Sequence, residues 1–236
     1  MPTKLHTTED NLIVLFEDNH LIVVNKRPGD LIQGDKTKDK PLAEIVKDYI
    51  GKKYEKPGAV FLGVVHRLDR PTSGVVVFAR TSKSLSRLNQ QFADRATQKT
   101  YWAVVKSPPE VPQGTLTHYL ARRPKQNKSF AYTKEVPESK KAILHYNTLA
   151  QSDRYTLLEI DLETGRHHQI RAQLTAIGCP IKGDLKYGFD RSNPDGSIHL
   201  HARKLMIAHP ITKESLSITA PAPDENLWSA LAGLVK

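Results

Sequence analysis

Short apolar runs separated by polar turns open the chain. Leu12 to Phe16 and Leu21 to Asn25 flank the polar segment Glu17 to His20, and this pattern predicts a β-hairpin. Pro41 predicts the start of a helix, because proline is favoured at the first helical position. The apolar positions on one face of that helix are Leu42, Ile45, Val46, Tyr49 and Ile50.

The next stretch alternates between strand and helix patterns. Val75 to Ala79 predicts a short apolar strand, and Ser82 predicts the cap of a following helix. Tyr101 to Val105 predicts a return strand, and Ser107 to Gln113, with three prolines, predicts a connector. The residues expected to point inward from the helix are Leu85, Leu88 and Phe92.

The segment from Arg122 to Lys141 is predicted to be the least structured. Basic residues interleaved with aromatic ones suit phosphate contacts and base stacking. A solvated hairpin loop would have much the same composition, and both interpretations stay open. The residues concerned are Arg122, Arg123, Lys125, Lys128, Lys134, Lys140 and Lys141, with Phe130 and Tyr132.

The remaining pattern predicts three strands and two helices. A helix is expected from Arg166 to Ile177, ended by Gly178. The alternation of Ile198 to Ala202 predicts a half-buried strand, and Leu216 to Thr219 predicts another. The apolar positions of the third strand are Tyr155, Leu157 and Leu162. Those of the C-terminal helix are Leu227, Trp228 and Leu231.

This order of elements predicts an α+β fold with a mainly antiparallel, mixed β-sheet and flanking helices. Strands outnumber helices, and regular β-α alternation is missing. The length of 236 residues suits one domain over residues 1–236, or two subdomains that share one sheet.

Composition indicates a soluble intracellular protein, expected in the cytoplasm. Hydrophobic residues make up 39% of the chain, and no apolar run approaches the roughly 20 residues of a membrane span. The polar segment from Met1 to Asp10 lacks the organisation of a signal peptide. The single cysteine, Cys179, excludes an internal disulfide and is interpreted as a packing residue.

The charge balance favours a polyanionic partner. Lysine and arginine number 35 against 25 acidic residues, a formal net charge of +10. Nucleic acid ranks first and a membrane surface well below it, because the sequence shows no basic amphipathic helix.

Motifs for cofactors, metals and serine hydrolysis are missing or incomplete. The sequence has no Gly-x-Gly-x-x-Gly after a strand and no Gly-Lys-Ser/Thr loop. His167 and His168 would diverge by about 100° on a helix, which makes a shared metal ion unfavourable. Ser73 lacks a Gly-x-Ser-x-Gly setting, since Pro71 occupies the first glycine position.

Two polar segments could carry chemistry. The first is HRLDRPTSG, residues 66–74, where Asp69 lies between Arg67 and Arg70 and between two apolar stretches. Neighbouring guanidinium groups favour an ionised carboxylate, although an isolated aspartate here would be an ordinary turn residue. The second is TGRHHQIR, residues 164–171, whose glycine, arginines and histidines would suit an anion at a helix start.

These segments resemble the RluA-type family of ribosomal large-subunit pseudouridine synthases. HRLDRPTSG is similar to the central family signature, and residues 164–171 are similar to its third motif. Lys99-Thr100-Tyr101 matches a Lys-x-Tyr element. Gly183-Asp184, Tyr187-Gly188, Leu200 to Ala202 and His209-Pro210 follow in family order.

The resemblance implies an RNA pseudouridine synthase, an isomerase that converts uridine to pseudouridine without a cofactor or metal. It implies a central RNA-binding cleft, with Asp69 as the catalytic carboxylate acting on the sugar or the base. Arg171 would pair with Asp69 and lower its pKa, and Tyr101 would stack on uracil. The residues expected to contact RNA are Arg67, His66, Arg70, Thr72, Lys99, Arg166, His168 and Gln169.

The expected partner is structured rRNA or tRNA, bound by a monomer, with no DNA and no membrane. Arg27, Gln33 and Gln173 depart from the family pattern, which affects the details of the cleft and the choice of RNA. The family pattern starts near residue 12, too early for the N-terminal S4 domain of many relatives. A catalytically silent RNA-binding or ribosome-assembly protein and a hydrolase are the alternatives.

Overall fold

The computed structural model describes residues 7–35 and 37–235. Residues 1–6 of the polar segment from Met1 to Asp10 lie outside this part of the chain. The strands of this part are β1 (Val14–Glu17), β2 (Leu21–Lys26), β3 (Gly63–Val64), β4 (Ser73–Ala79), β5 (Gln98–Val105), β6 (Gln113–Arg123), β7 (Lys128–Tyr132), β8 (Lys140–Gln151), β9 (Thr156–Leu162), β10 (Leu200–Ala208) and β11 (Ser215–Thr219). The helices are α1 (Leu42–Lys53), α2 (Ser82–Ala93), α3 (Gln169–Ala176) and α4 (Asn226–Ala232).

The chain divides into two compact units, each built from two separate stretches of sequence. The first unit comprises residues 1–97 and 202–221. The second unit comprises residues 98–201 and 222–236. The sequence of the second unit therefore interrupts that of the first.

The first unit is built on β2 and β4, which pair antiparallel from Leu21 opposite Ala79 to Lys26 opposite Gly74. Strand β1 extends this pairing as the predicted hairpin with β2. Successive strand residues point to opposite faces, and both faces are buried here. One face packs on α1 and the other on α2 and the β10–β11 pair.

The second unit is built on five antiparallel strands in the order β5-β9-β8-β6-β7. Alternate residues of β5 again face two clusters. Ala103 and Val105 pack with Ile170 and Leu174 of α3. The neighbouring Trp102 and Val104 belong to the cluster that contains Trp228 and Leu231 of α4.

The α+β class with antiparallel pairing is confirmed, and several boundaries were wrong. Helix α3 begins at Gln169 rather than Arg166, and β10 begins at Leu200 and runs to Ala208 rather than covering residues 198–202. Thr81, not Ser82, caps α2, since its side chain accepts a hydrogen bond from the Ser84 N–H. No helix in residues 7–35 and 37–235 is long and apolar enough to cross a membrane.

The segment from Arg122 to Lys141 is more ordered than predicted. It contains the end of β6, all of β7 and the start of β8, with a 3-10 turn at Pro124–Gln126. The prediction of a half-buried strand near residue 200 was also wrong, because His199 and His201 are only 4% and 0% exposed. Cys179 is buried, as its interpretation as a packing residue requires.

Gly74 lies close against the backbone of Ala202. Its φ of +118° disfavours any residue with a side chain, and a Cβ there would lie 2.3 Å from the carbonyl oxygen of Ala202. Gly74→Ala should therefore lower the free energy of unfolding by at least ~2 kcal/mol, combining backbone strain with the clash. Urea denaturation measures this effect.

Gly58→Ala is the matched control for that measurement. A Cβ at Gly58 has no neighbour within 4 Å, and its backbone is not in the left-handed region. The control should unfold close to the wild-type midpoint. Equal midpoints for Gly74→Ala and the wild type would contradict the close approach.

Candidate active site

The segment HRLDRPTSG connects β3 with β4 in the first unit. Asp69 is half-buried, and its carbonyl oxygen accepts the N–H of Thr72 at 3.0 Å, so the chain turns here. The turn is followed directly by Ser73, the first residue of the buried strand β4. The carboxylate thus lies on a short turn directly before a buried interior strand of the sheet.

The buried side chain of Lys26 holds this turn in place through hydrogen bonds to backbone carbonyl groups. Its side chain is 1% exposed, and its Nζ donates to the carbonyl oxygens of Thr72 at 2.6 Å, Arg70 at 3.1 Å and Arg27 at 3.0 Å. The Gly29 N–H donates to the same Arg70 carbonyl at 2.8 Å. Residues 70–72 are therefore held at several points by the end of β2 and the turn that follows it.

Burial lowers the pKa of the Lys26 ammonium from 10.5 to about 7, against the opposing effect of the Asp30 and Asp69 carboxylates. Between these two pH values the unfolded chain holds more protons than the folded chain. The free energy of unfolding should therefore rise with pH from about 7 to about 10.5, by up to ~1.4 kcal/mol per unit.

Lys26→Met should abolish that contribution while losing the three hydrogen bonds. Denaturation of both proteins at several pH values measures the difference between their slopes, in which the other groups cancel. The same pH slope for Lys26→Met and the wild type would show that Lys26 keeps its ordinary pKa in the fold.

The other predicted site residues of this segment differ in exposure. Arg67 is exposed, whereas Thr72 is 2% exposed, which leaves little of its surface for RNA. Arg70 forms an ion pair with Asp39. The Nε2 of His66 accepts the Val77 N–H at 3.1 Å, and its ring stacks on Phe92, so this histidine also has a packing role.

In the second unit, Gln169 organises the approach to α3. Its Oε1 accepts from the Thr164 hydroxyl at 2.8 Å and from the Arg166 N–H at 2.9 Å. Its Nε2 donates to the carbonyl oxygen of Ile143 on β8 at 3.0 Å. The side chain that was predicted to contact RNA thus joins the loop before α3 to the sheet, and the Nε of Arg166 adds a bond to the Lys141 carbonyl at 3.1 Å.

His167 and His168 precede the helix, so the argument that they diverge on its surface was wrong. His168 has a left-handed φ of 53°, and the two rings stack with centroids 3.8 Å apart. The Nδ1 of His168 lies 3.0 Å from the hydroxyl of buried Tyr187. Within the described residues, no group of three or more histidine, cysteine, aspartate or glutamate side chains could hold a metal ion.

Arg171 is a buried cation on the first turn of α3. It is 4% exposed, and its Nε and Nη2 donate to the two carboxylate oxygens of Asp184 at 2.7 and 2.8 Å. The guanidinium also lies over the Tyr187 ring, 4.9 Å from its centroid. This two-point contact fixes both the position and the plane of the guanidinium.

Tyr101 and Lys99 lie on β5. Tyr101 is half-buried and packs against the hydrophobic cluster that includes Ile170, next to Arg171 in sequence. A Cβ at Gly165 would lie 3.7 Å from the Nζ of Lys99, which places this ammonium group beside the third motif. The second unit thus brings together the Lys-x-Tyr element and the third motif.

Asp69 belongs to the first unit and Tyr101 and Arg171 to the second, so the convergence of these three side chains stays a prediction. No role was predicted for Lys26, Asp184 or Tyr187. A role for Lys26 could have been found from its position at the end of the apolar strand Leu21–Lys26. Roles for Asp184 and Tyr187 could have been found from the family matches Gly183-Asp184 and Tyr187-Gly188.

A family model described as RNA pseudouridylate synthase matches residues 20–176, more than half of the chain. This range contains Asp69, Tyr101 and Arg171. The match extends from β2, through the turn that Lys26 holds, to the end of α3.

Several curated proteins are similar over most of the chain. The uncharacterized RNA pseudouridine synthase YhcT of Bacillus subtilis is 34% identical over 216 residues, which cover 90% of this chain and 69% of that protein. The ribosomal large subunit pseudouridine synthase D of Zymomonas mobilis is 32% identical, over 95% of this chain and 74% of that protein. The tRNA pseudouridine synthase C of Pectobacterium carotovorum is 33% identical, but the chain spans only 58% of its length.

Solved structures show the same fold. The human RNA pseudouridylate synthase domain containing 4 has a TM-score of 0.75 at 23% identity, over 90% of this chain and 89% of that one. The human RNA pseudouridylate synthase domain containing 1 has a TM-score of 0.74 at 22% identity, over 96% of this chain and 89% of that one. The predictions of the fold, the RluA-type resemblance and a pseudouridine synthase are confirmed: the chain belongs to the RNA pseudouridylate synthase family.

Proposed function

We propose that the chain isomerises specific uridines of structured rRNA or tRNA to pseudouridine, with Asp69 as the catalytic carboxylate. The observation that carries this proposal is the placement of Asp69. It lies in HRLDRPTSG, inside the matched residues 20–176, on a turn held by the buried Lys26. Such rigid mounting of an acidic side chain serves catalysis, because a positioned group needs little reorganisation during the reaction.

The reaction breaks the bond between uracil N1 and the anomeric carbon, turns the base and forms a bond from that carbon to uracil C5. The proton on C5 is lost and N1 gains one, so that atoms and electrons balance without an oxidant or an added group. Asp69 acts on the sugar or the base at the bond-breaking step. The target must first leave its stack, which costs a few kcal/mol unless it lies in a loop.

Arg171 is proposed to hold Asp69 in its ionised form. The two bonds to Asp184 fix the position and the plane of the Arg171 guanidinium, which can then act on a neighbouring carboxylate. An adjacent guanidinium lowers the pKa of a carboxyl group. Asp184 would therefore hold Arg171 in place while Arg171 acts on Asp69.

Tyr101 is proposed to stack on the target uracil and to assist proton transfer. Exposed Arg67 is proposed to keep the RNA open around the flipped uridine. We further propose direct RNA contacts for His66, Arg70, Lys99 and Arg166. The buried side chains of Thr72, His168 and Gln169 are proposed to hold the turn or loop that contacts RNA.

The names of the relatives support RNA as the partner, since they include a ribosomal large subunit enzyme and a tRNA enzyme. The net charge of +10 suits that polyanion. We propose that the chain acts in the cytoplasm as a monomer, as one catalytic domain, on RNA rather than DNA and away from membranes.

The test is to map pseudouridines in total RNA from cells with and without this protein, and to repeat the reaction with purified protein. Sites that disappear from the cells and are restored on a transcript in vitro would establish both the activity and the target. RNA binding without product from any transcript or RNA fraction would favour the silent RNA-binding alternative. Inhibition by serine reagents would instead point to a hydrolase.

A further inference from the structure

A strongly basic turn joins β6 and β7 in the second unit. We call residues 122–128, which include the 3-10 turn at Pro124–Gln126, the basic tip. Its cations are Arg122, Arg123, Lys125 and Lys128, and residues 122–127 are all exposed. None of the proposed catalytic side chains lies in this segment.

Carboxylates do not neutralise the basic tip. Residues 114–134 contain no aspartate or glutamate. Among the residues that the structure describes, no ion pair involves any of the four cations. The excess positive charge is therefore presented to solvent.

The register of the hairpin places two of these residues directly opposite each other. Arg123 pairs with Lys128 across the β6–β7 ladder. Residues directly opposite in an antiparallel pair have Cβ atoms about 5 Å apart, and like charges there are destabilising. Here the Lys128 ammonium lies over the rings of Phe130 and Tyr187, 5.3 and 4.9 Å from their centroids, which leaves the exposed cations Arg122, Arg123 and Lys125 to meet an anion.

The tip is also held in place by the segments around α3. The Ser129 N–H donates to the Tyr187 hydroxyl at 2.9 Å, and the Ser129 Oγ lies 2.9 Å from His167 Nδ1. The other nitrogen of His167 lies 3.2 Å from the Asn127 Oδ1, and Lys186 donates to the Asn127 carbonyl at 3.2 Å. A ligand on the tip would therefore bind a pre-ordered surface at low entropic cost.

These contacts connect the tip to the site. Tyr187 bonds to Ser129 of the hairpin and lies against the guanidinium of Arg171. A ligand bound to the tip would therefore be placed, through Tyr187, relative to the first turn of α3. A disordered basic segment would carry the same charge but would not fix the position of a bound ligand relative to α3.

We propose that the basic tip is a preformed docking surface for the phosphate backbone of the substrate RNA. The guanidinium and ammonium groups on the turn between β6 and β7 contact the phosphates of the RNA backbone, and these contacts do not distinguish one base from another. The identity of the ligand rests on the proposed function. The tip contributes to affinity and to placement of the RNA, and not to the chemical step.

The test compares two triple variants that remove the same charge. The tip variant is Arg122→Gln, Arg123→Gln and Lys125→Gln. The control variant is Lys56→Gln, Lys83→Gln and Lys213→Gln, three exposed lysines of the first unit without an ion pair in the described part of the chain. Filter binding to an unmodified substrate transcript over a range of salt, together with KM and kcat for product, gives the readouts.

The tip variant should bind RNA at least ~10-fold more weakly at low salt, and its slope of log K against log salt should fall by roughly 2 to 3. Its KM should rise with kcat within ~2-fold, since phosphate contacts position the substrate. The control should keep slope and KM near the wild-type values. Thermal midpoints close to wild type would show that both variants are folded.

An unchanged slope and KM in the tip variant would overturn the proposal. So would an equal loss in the control, which would show that only net charge matters, or loss of binding to phosphatidylserine vesicles with unchanged RNA affinity. A wild-type protein that binds RNA but forms no pseudouridine would instead refute the proposed function. The binding slopes would still decide the role of the tip.

Discussion

Asp69→Asn should reduce pseudouridine formation by a factor on the order of 10³–10⁴ or more, while RNA affinity changes by less than ~3-fold. The amide has nearly the same shape as the carboxylate, so the turn held by Lys26 should persist. What disappears is the negative charge and the basic oxygen that the proposed reaction requires. Because the change acts in the transition state, kcat should fall while KM stays nearly constant.

Single-turnover measurement of product with excess enzyme checks this expectation, and filter binding checks the affinity. Asp153→Asn is a suitable control, because Asp153 is exposed and lies outside both motifs. The control should turn over at the wild-type rate. Turnover close to the wild-type rate by Asp69→Asn or Asp69→Ala, from a preparation free of wild-type enzyme, would refute the assignment.

Asp184→Asn should lower stability and activity together. Asp184 is 1% exposed and is the two-point partner of Arg171, which is 4% exposed. Loss of one member of a buried ion pair leaves the other charge uncompensated, at a cost of about 3–5 kcal/mol in the free energy of unfolding. The guanidinium would also lose the two-point contact that fixes its plane, and kcat should fall by more than RNA affinity.

Asp190→Asn is the control for this substitution. Asp190 pairs with Lys106 at 2.9 Å, but both side chains are largely exposed, and such pairs contribute little. Urea denaturation should therefore separate the two variants clearly. A wild-type midpoint together with wild-type kcat in Asp184→Asn would show that Arg171 needs no such support.

Periodicity predicted the elements whose apolar residues lie close together in sequence. The β1–β2 hairpin and α1 belong to this class, because β2 and α1 each contribute a compact set of buried residues. Strand β6 was missed, since its first five residues have no buried side chain. The order of β6 and β7 comes from cross-strand pairing and from contacts with Tyr187, which a local pattern does not contain.

The start of α3 was misplaced for a related reason. Gly165 and the polar run after it look like a helix entry, but the Gln169 side chain bonds back to Thr164 and Arg166 and holds an extra turn. His168 then adopts a left-handed conformation before the helix begins. These side-chain hydrogen bonds, together with the bond from Gln169 to the Ile143 carbonyl on β8, overrode the local helix preference.

The sequence predicted the motifs of the candidate site but not the hydrogen bonds and ion pairs that hold their side chains. Resemblance identified Asp69, Tyr101 and Arg171. The partners of Lys26 at positions 70 and 72 lie 44 and 46 residues away, and that of Arg171 lies 13 residues away. Separation in sequence hides such contacts, because a side chain carries no local mark of the carbonyl or carboxylate that it will meet.

The interrupted arrangement of the two units has a consequence for synthesis on the ribosome. The first unit needs Leu205, Ile207 and Ile218 to complete its hydrophobic cluster, and these residues are translated after the whole stretch 98–201. The second unit needs Trp228 and Leu231 of α4. One hydrophobic cluster of each unit therefore closes only after residues 205–231 have emerged, and until then the face of β2 and β4 that packs on β10 and β11 is exposed to aggregation.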